Sequence, residues 1–577
     1  IGPPPVAQSY LDIERILAAA RETNAGAIHP GYGFLSENSE FAAACEAAGI
    51  VYIGPSAAAV ELMGNKARAK AHMASAGVPC VPGYAGEDPS DEAFIEAASR
   101  IGYPVMIKAA AGGGGRGMRQ VDDPAGLTKA LARARSEAQH AFGLDEVILE
   151  KALQGPRHVE VQIMADEQGH VIHLGERDCS VQRRHQKVIE EAPCPAMTDE
   201  LRSAMGETAV TAAKSIGYRG AGTVEFLLDE GDNFFFLEMN TRLQVEHPVT
   251  EMITGLDLVA MQIDIAQGLP LTLTQADVQF SGHAIEARLY AEDVGRGFLP
   301  CTGTVALWQP STAEHVRIDA GIDNGLHIGP HYDPMLAKFI AWGEDRESAR
   351  CRLADALKMT VLFGLTTNRS FLVDALNQQA FAVGCVTTAF IEQAFGPEDL
   401  SPAVPSVECA AVAAVIQYRW QRDAARQRAL SVPADLLDWS STGSLESRYR
   451  YVVAGNTLDL NVRAGGEDYR VRCEGTEITV RMVTDSDNKA RIEVEGCTVD
   501  IVYESQSGTR THLFMDGEAW CFDNQMVAAA LPETPGGDGR VLAPMHGRVT
   551  EIMVEAGDVV RKGQRLASLE AMKMEHE

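Results

Sequence analysis

The chain has 577 residues, enough for about three or four domains, and its 46% hydrophobic and 23% charged residues are typical of globular proteins. A net charge of −30 argues against nucleic acid or an anionic membrane as a partner, and no apolar run is long enough to cross a bilayer. The 11 cysteines lack C-x2-C spacing, which predicts reduced thiols in a bacterial cytoplasm or, in a eukaryote, the mitochondrial matrix.

Residues 1–400 alternate between helix and strand patterns, which is typical of an α/β fold. Amphipathic windows predict helices at Tyr10–Arg21 and Glu40–Ala48, and an apolar run predicts a strand at Pro104–Ala110. The chain opens on Ile1 without a starting Met or a signal pattern, so we expect it to begin within a domain.

A glycine run follows the strand that contains Lys108. Its glycines surround Arg116 and are Gly112, Gly113, Gly114, Gly115 and Gly117. A dinucleotide-binding turn is not favoured, because Met118–Val121 continues as a strand where such a turn opens a helix. A hairpin that folds over phosphates fits better, since glycine permits close backbone approach while Lys108 and Arg116 add positive charge. The alternative is a surface turn without function.

The stretch Gly222–Glu246 predicts an apolar hairpin that ends in regularly spaced polar residues. Alternate residues of an extended chain share one face, so five polar groups are expected on the same side: Glu238, Asn240, Arg242, Gln244 and Glu246. Oxygen ligands from Glu225, Glu238 and Asn240 suit a Mg²⁺ ion that bridges ATP phosphates. The alternative is a solvated strand face, which the preceding Phe-Phe-Phe run makes unfavourable.

Three other polar positions have open roles. His158 lies in an alternating strand, and a lone histidine is more often structural than catalytic. The basic island Arg183–Lys187, which includes His185, is either a solvated loop or a site for bicarbonate and phosphate. Arg288 lies on another alternating strand.

Beyond residue 400 the pattern changes. A Pro-rich stretch, Pro397–Val407, precedes a helical segment at Glu408–Ala429, and Ser447–Asp523 then alternates with period two between turn pairs such as Gly455-Asn456 and Asp516-Gly517. This predicts a small antiparallel barrel around or beside a helix. No catalytic group of residues is evident there, which favours an interaction domain.

The last part of the chain predicts a linker and a small β segment. Leu531–Arg540 is nearly devoid of apolar residues and reads as flexible, while Val541–Glu577 alternates short strands with glycine turns. Lys573 stands between two methionines at a predicted hairpin tip, a pattern that fits either a biotin attachment site or an ordinary exposed lysine. We expect the return strand of this hairpin to be absent, since the chain ends four residues later.

Four motifs taken together closely resemble biotin carboxylase, an ATP-grasp enzyme: His29–Asn38, the glycine run, Glu176–Lys187 and Glu238–Pro248. The resemblance covers about residues 1–395 and, with the later segments, extends to the α subunits of biotin-dependent acyl-CoA carboxylases. It implies an α/β ATP-grasp biotin carboxylase domain, a helix-plus-antiparallel-β-barrel interaction domain and a truncated all-β biotinyl domain. The implied parts are 1–57 (remnant of the amino-terminal carboxylase subdomain), 58–270 (ATP-grasp, with a mobile lid at about 80–152), 271–395 (carboxy-terminal carboxylase subdomain), 408–525 (interaction helix and barrel), 531–540 (linker) and 541–577 (first part of the biotinyl domain).

The resemblance also assigns residues to roles. It implies ATP contacts at Lys66, Lys108, the glycine run, Glu150, Lys151, Leu153, His158 and His185. It implies metal ligation by Glu225, Glu238 and Asn240, and a bicarbonate pocket of Lys187, Arg242, Gln244 and Val245. Glu246 would be the general base, Arg288 the group that stabilises the biotin enolate, and Lys573 the site of covalent biotin.

The implied cofactors are biotin, ATP and Mg²⁺ or Mn²⁺, with bicarbonate as a substrate. The implied partners are a carboxyltransferase β subunit, in an α6β6 assembly, and a biotin protein ligase. The segment His331–Lys338 looks most like the 3-methylcrotonyl-CoA or geranyl-CoA type. The alternatives are a propionyl-CoA or acetyl-CoA carboxylase α subunit, another ATP-grasp ligase with a lipoyl-like domain, and a carrier subunit with a vestigial ATP-grasp half.

Overall fold

The computed structural model describes the chain apart from residues 86–87, 111–117, 143, 185, 430, 432, 434–435, 437–438, 442–444, 466, 507–508, 529–542, 544–546, 556, 562–563, 572–573 and 577. The glycine run, His185, the predicted linker and Lys573 therefore lie outside the described residues. All 11 cysteines are free thiols, as predicted. Among the helices that the structure describes, none combines the length and apolar character needed to span a bilayer.

The first residues form three helices beside a two-stranded parallel sheet. These elements are α1 (Ile13–Glu22), β1 (Ala27–Ile28), α2 (Ser39–Ala47), β2 (Val51–Tyr52) and α3 (Ala57–Gly64). The side chains of Asp12 and Asn38 accept backbone N–H groups at the starts of α1 and α2. Both predicted helices are confirmed, and α1 begins later than expected because its capping residue sets its start.

A second unit holds a four-stranded antiparallel sheet. Its elements are α4 (Lys66–Ser75), β3 (Gly83–Tyr84), α5 (Asp91–Ile101), β4 (Val105–Ala109), β5 (Arg119–Val121), α6 (Pro124–Phe142) and β6 (Val147–Lys151). The strand order is β3-β6-β4-β5. The strands on either side of the glycine run, β4 and β5, are antiparallel neighbours. This confirms the expected strand after the run and excludes a turn that opens directly into a helix.

An eight-stranded antiparallel sheet forms the centre of the molecule. Its first half consists of β7 (Arg157–Ala165), β8 (Val171–Arg183), β9 (Gln186–Ala192), α7 (Asp199–Ser215), β10 (Gly220–Leu228), β11 (Phe234–Asn240), α8 (His247–Thr254) and α9 (Leu258–Ala266). Helices α7 and α8 pack on this sheet. Strands such as β7 and β8 are therefore buried on both faces and do not show the one-sided alternation of an exposed strand.

The remaining elements up to Ala394 complete the sheet and cover its end. They are β12 (His283–Tyr290), β13 (Glu292–Asp293), β14 (Leu299–Pro300), β15 (Gly303–Thr304), β16 (Leu307–Gln309), β17 (Val316–Ala320), β18 (His327–Ile328), β19 (Met335–Gly343), α10 (Arg346–Met359), β20 (Val361–Phe363), α11 (Arg369–Asn377), α12 (Gln379–Ala382) and α13 (Phe390–Ala394). The strand order of the completed sheet is β11-β10-β7-β8-β9-β12-β19-β17. Helix α10 packs on β19 and β12, so that β12 lies in the interior.

A closed eight-stranded barrel follows, and a long helix runs inside it. Its elements are α14 (Val407–Arg428), β21 (Glu446–Val453), β22 (Asn456–Gly465), β23 (Asp468–Cys473), β24 (Thr476–Ser486), β25 (Lys489–Val494), β26 (Cys497–Gln506), β27 (Arg510–Met515) and β28 (Glu518–Asn524), with a short α15 (Gln525–Ala528) after them. Residues Cys409–Gln417 of α14 are buried on every side, as expected of an apolar helix within a core. The predicted barrel is confirmed, with the helix inside it.

The final β segment corrects one expectation. It contains β29 (Arg548–Ile552), β30 (Ala567–Ala571) and β31 (Met574–His576), paired in that order. Because β31 pairs antiparallel with β30, from Ala571 opposite Met574 onward, the expectation that the return strand is absent was wrong. Even three residues are enough to begin the ladder, since the pairing is local to the hairpin.

Candidate functional site

The predicted polar face is only partly a strand. Glu225 on β10 lies directly opposite Glu238 on β11, as the hairpin pattern indicated. Strand β11 ends at Asn240, however, and α8 begins at His247 with Glu246 as its capping residue. The prediction of one extended face up to Glu246 was therefore wrong beyond Asn240. The side chains still converge, because the chain turns between the strand and the helix.

Lys187, near the start of β9, is the centre of the site. Its Nζ lies 2.5 Å from Glu160, 2.9 Å from Glu225 and 2.6 Å from Glu246. Burial alone would lower the pKa of Lys187, but the three carboxylates raise it well above its usual value. Lys187 is therefore an ammonium ion held by three carboxylates. It is the last residue of the predicted basic island Arg183–Lys187, and it lies in the protein interior.

Glu246 lies between two cations. Besides Lys187, it contacts Arg288 of β12, whose Nη2 is 2.9 Å from Glu246 Oε2. Burial would raise the pKa of Glu246, but Lys187, Arg288 and Arg177 hold it well below the usual value. Glu246 is therefore ionised and able to take up a proton, although its basicity is low while both cations contact it.

Glu225, an expected metal ligand, contacts three further polar side chains. Its Oε1 accepts hydrogen bonds from Asn240 Nδ2 at 2.7 Å and from Gln244 Nε2 at 2.8 Å. Its Oε2 lies 2.8 Å from Nε2 of His158, whose pKa is lowered by burial but raised overall by Glu225. Ligand atoms of His158, Glu160 and Glu225 fall within 4.8 Å of one another, so hard oxygen donors for Mg²⁺ are present in this region.

Two lysines from the second unit face carboxylates at the edge of the site. Lys66, the first residue of α4, forms an ion pair with Glu238. Lys108 of β4 lies 2.6 Å from Glu150 of β6, which also contacts Lys70 at 2.8 Å. These are the positions at which the resemblance expects ATP, and each lysine has a carboxylate partner in this structure.

Four predicted residues lie at the margin. Arg242 donates to Glu37 and to Asn240 at 3.1 Å each, and the backbone oxygen of Val245 accepts a hydrogen bond from Lys338 at 2.7 Å. Lys151 donates to two backbone oxygens, at 3.0 and 2.9 Å, and Leu153 is half-buried in the loop after β6. The ammonium of Lys151 is therefore hydrogen-bonded to the backbone before β4, whereas Arg242 and Val245 adjoin the polar cluster.

Sequence reasoning missed several charged residues of the interior. Arg177, Glu160 and Glu190 are fully buried, and they contact the predicted residues Gln244, Lys187 and Arg288 respectively. Arg177 stands inside the Glu176–Lys187 motif, but nothing in a single sequence marks it as buried. A strand with both faces covered gives no periodic signal, so the only available sign was the unusual density of charges in that motif.

Family models match four segments of the chain. They are described as biotin carboxylase, N-terminal domain (residues 1–60), carbamoyl-phosphate synthase L chain, ATP binding domain (65–274), biotin carboxylase C-terminal domain (286–393) and biotin-requiring enzyme (539–577). The matched segments include every predicted catalytic and metal residue and Lys573.

Curated relatives align along the entire chain. The methylcrotonoyl-CoA carboxylase subunit alpha of Oryza sativa, a mitochondrial protein, is 41% identical and is covered over 83% of its length. That of Mus musculus is 40% identical with 82% covered, and the propionyl-CoA carboxylase alpha chain of Ruegeria pomeroyi is 39% identical with 88% covered.

Solved structures match the carboxylase part. The biotin carboxylase domain of Hydrogenobacter thermophilus 2-oxoglutarate carboxylase, in complex with MgADP, ADP and bicarbonate, has a TM-score of 0.67 and 45% identity over 70% of this chain and 88% of that one. Biotin carboxylase from Campylobacter jejuni has a TM-score of 0.65 and 45% identity, over 67% of this chain and 86% of that one. The fold and the full-length similarity agree with the motifs: the chain belongs to the family of biotin-dependent acyl-CoA carboxylase alpha subunits.

Proposed function

We propose that this chain uses ATP and bicarbonate to carboxylate biotin that is attached to Lys573. One observation carries the proposal: a buried, ionised Glu246 lies between Lys187 at 2.6 Å and Arg288 at 2.9 Å. A base flanked by two cations suits a reaction in which an anion must be bound and deprotonated in the same place. The domain limits given above belong to the same proposal.

Bicarbonate binds among Lys187, Arg242, Gln244 and the Val245 backbone. Glu246 removes its proton, and the resulting dianion attacks the γ-phosphate of ATP, which breaks the bond to ADP and gives carboxyphosphate. Carboxyphosphate divides into CO2 and phosphate, and the phosphate accepts the proton from the ureido nitrogen. Lys187 and Arg288 supply the positive charge that both anionic stages require.

The metal and ATP occupy the adjacent region. Glu225, Glu238 and Asn240 would hold Mg²⁺ or Mn²⁺, and the fit is chemical: two carboxylates and an amide oxygen are hard donors. A bound metal supplies charge neutralisation at the transferred phosphoryl group. Lys66 and Lys108, which pair with Glu238 and Glu150, are placed to exchange these carboxylates for phosphate oxygens. The glycine run, Lys151, Leu153, His158 and His185 complete the proposed ATP site by resemblance.

Biotin, when bound, supplies the ureido nitrogen that takes up CO2. Arg288, whose guanidinium contacts Glu246, would offset negative charge on the ureido oxygen, and the predicted linker 531–540 would let the tethered group reach the site. Tethering sets an effective concentration on the order of millimolar for a short flexible linker, so no separate binding site of high affinity is required.

The acceptor of the carboxyl group is an acyl-CoA held by a separate carboxyltransferase β subunit. Full-length similarity to methylcrotonoyl-CoA carboxylase subunits favours a branched acyl-CoA such as 3-methylcrotonyl-CoA or geranyl-CoA, and propionyl-CoA is the second candidate because a propionyl-CoA relative also aligns throughout. The helix-filled barrel serves as the surface for the β subunit, in an α6β6 assembly, and a biotin protein ligase modifies Lys573. The setting is a bacterial cytoplasm or a mitochondrial matrix.

Biotin-dependent ATP cleavage by purified protein tests the reaction. Replacing the base in Glu246→Gln and the oxyanion group in Arg288→Ala should each slow cleavage by about 10²- to 10⁴-fold, the usual contribution of such groups. A matched control is Glu292→Gln, which replaces another buried carboxyl group that contacts Arg183 at 2.9 Å and forms no ion pair with Lys187 or Arg288. Near-normal rates in both site variants would refute the assignment.

A further inference from the structure

Four charged residues lie on one face of three adjacent strands beside the proposed reaction site. On β9 and β12, Glu190 is directly opposite Glu286, and on β12 and β19, Arg288 is directly opposite Lys338. Residues opposite one another in a ladder share a face, and so do residues two apart on one strand. All four side chains are buried, the two carboxyls completely.

The contacts within this face are unequal. Arg288 Nη2 lies 2.6 Å from Glu190 Oε1 and 2.9 Å from Glu246 Oε2, so one nitrogen is shared by two carboxylates. Lys338 instead donates to the Val245 backbone. Among the described residues, neither Glu190 nor Glu286 accepts a hydrogen bond of good geometry, and the two differ in that Glu190 has the close ion-pair contact with Arg288. Two cross-strand carboxyl groups in a dry interior are costly, and such arrangements persist chiefly where a site requires them.

We infer that Glu190 is a positioning residue that holds the guanidinium of Arg288 between itself and Glu246. This inference rests on the proposed function. Because the same nitrogen, Arg288 Nη2, lies between the two carboxylates, Glu190 fixes the position of that end of the guanidinium and thereby sets the direction in which the remaining donors point. The Glu190 carboxylate also offsets part of the positive charge of Arg288, which weakens the effect of Arg288 on Glu246.

The charges of the two carboxyls are consistent with this role. Burial raises the pKa of Glu190 to about 7, against the opposing effect of Arg288, and raises that of Glu286 well above its usual range. Of the two carboxyls, only Glu190 has a cation in contact, since Arg288 Nη2 lies 2.6 Å from it, and this ion pair favours its charged form. Without Glu190, Arg288 would pair with Glu246 alone, which would depress the basicity of Glu246 and draw the guanidinium away from the ureido oxygen.

The test is kinetic and uses the full chain with free biotin. Glu190→Gln keeps the shape of the side chain and removes its charge, and Glu190→Asp keeps the charge. We expect kcat for biotin-dependent ATP cleavage to fall about 10- to 100-fold in Glu190→Gln with little change in KM for ATP, because a displacement of about 1 Å at a reacting group costs on this order. Glu190→Asp should recover part of the loss.

The control is Glu191→Gln. Glu191 is also a fully buried carboxylate on β9, but it points to the opposite face, where it contacts His283 at 2.8 Å and Arg346 at 2.6 Å. This variant tests the general effect of removing a buried charge. It should lower the unfolding midpoint while changing kcat less than about 2-fold, since it touches no group of the site.

A double-mutant cycle separates positioning from a purely structural role. If Glu190 acts through Arg288, Glu190→Gln should have almost no further effect on kcat in an Arg288→Ala background. Equal effects in both backgrounds, or equal losses in Glu190→Gln and Glu191→Gln, would overturn the inference, as would an unchanged kcat in Glu190→Gln. An inactive unsubstituted chain would instead overturn the proposed function, so the two failures are distinguishable.

Discussion

Replacing Arg177 by lysine should both destabilise the protein and disorder the site. The Arg177 guanidinium is fully buried on β8 and uses all of its donor directions. It donates at 2.6–3.2 Å to five different side chains: Glu160, Gln162, Thr223, Gln244 and Thr250. No other cationic side chain has this planar set of five donors, so lysine is not a conservative replacement here.

The expected magnitude follows from counting acceptors. An ammonium has three donors at one point, so at least two of the five acceptors lose their partner. Each unsatisfied buried polar group costs about 1–3 kcal/mol, which predicts a destabilisation of about 2–6 kcal/mol. A second effect concerns Gln244, whose Oε1 accepts from Arg177 and whose Nε2 therefore donates to Glu225. Without Arg177 the amide of Gln244 is free to reverse.

Urea unfolding and biotin-dependent ATP cleavage measure the two effects. We expect the free energy of the first unfolding transition to fall by about 2–6 kcal/mol in Arg177→Lys. In the protein that remains folded, KM for bicarbonate should rise because Gln244 belongs to the proposed bicarbonate pocket. The control Arg15→Lys alters a surface pair with Asp12, 3.1 Å apart, and should change stability by less than about 1 kcal/mol. If Arg177→Lys is as stable as this control, the reasoning from donor number is wrong.

Two further predictions concern Glu150 and Lys573. Burial acts to raise the pKa of Glu150, but Lys108 and Lys70 lower it to about 2 from 4.5. The contribution of this carboxylate to the free energy of unfolding is therefore present above pH 4.5 and is lost as the pH falls towards 2. It amounts to about 3 kcal/mol. In Glu150→Gln the free energy of unfolding should therefore fall less steeply over this pH range. Lys573→Ala should remove the covalent biotin that mass spectrometry detects and leave the carboxylation of free biotin intact. If the carboxylation of free biotin were lost as well, Lys573 would not be merely the attachment site.

The parts of the fold that sequence predicted are those with a local signal. Alternation with turn pairs gave the barrel strands, and the apolar helix Glu408–Ala429 proved to be α14 inside them. The hairpin before Asn240 was equally clear. Its continuation was wrong because Pro248 stands near the first position of α8, where proline favours a helix start; this signal was available and outweighed the apparent alternation.

The parts of the site that sequence missed depend on contacts between distant positions. Lys187 meets Glu160 across 27 residues and Glu246 across 59, and no spacing rule relates them. Glu190 and Arg177 lie in strands that are buried on both faces, so hydrophobic alternation could not indicate which way they point. Motif resemblance supplied the proposed catalytic and binding residues, and only the three-dimensional arrangement revealed the buried charges that contact them.

Under the proposed function, the balance of charge explains how a strongly acidic protein can bind bicarbonate at Lys187 and Arg288. Lys187 and Arg288 already have carboxylate partners, so an entering anion does not find a free positive pocket; it must exchange with Glu246 at one of these cations. Exchange separates Glu246 from a cation that holds its pKa low, and the basicity of Glu246 therefore rises when its substrate arrives. In the proposed reaction these ion pairs keep Glu246 a weak base until the anion lies beside it, so that substrate binding is coupled to proton transfer.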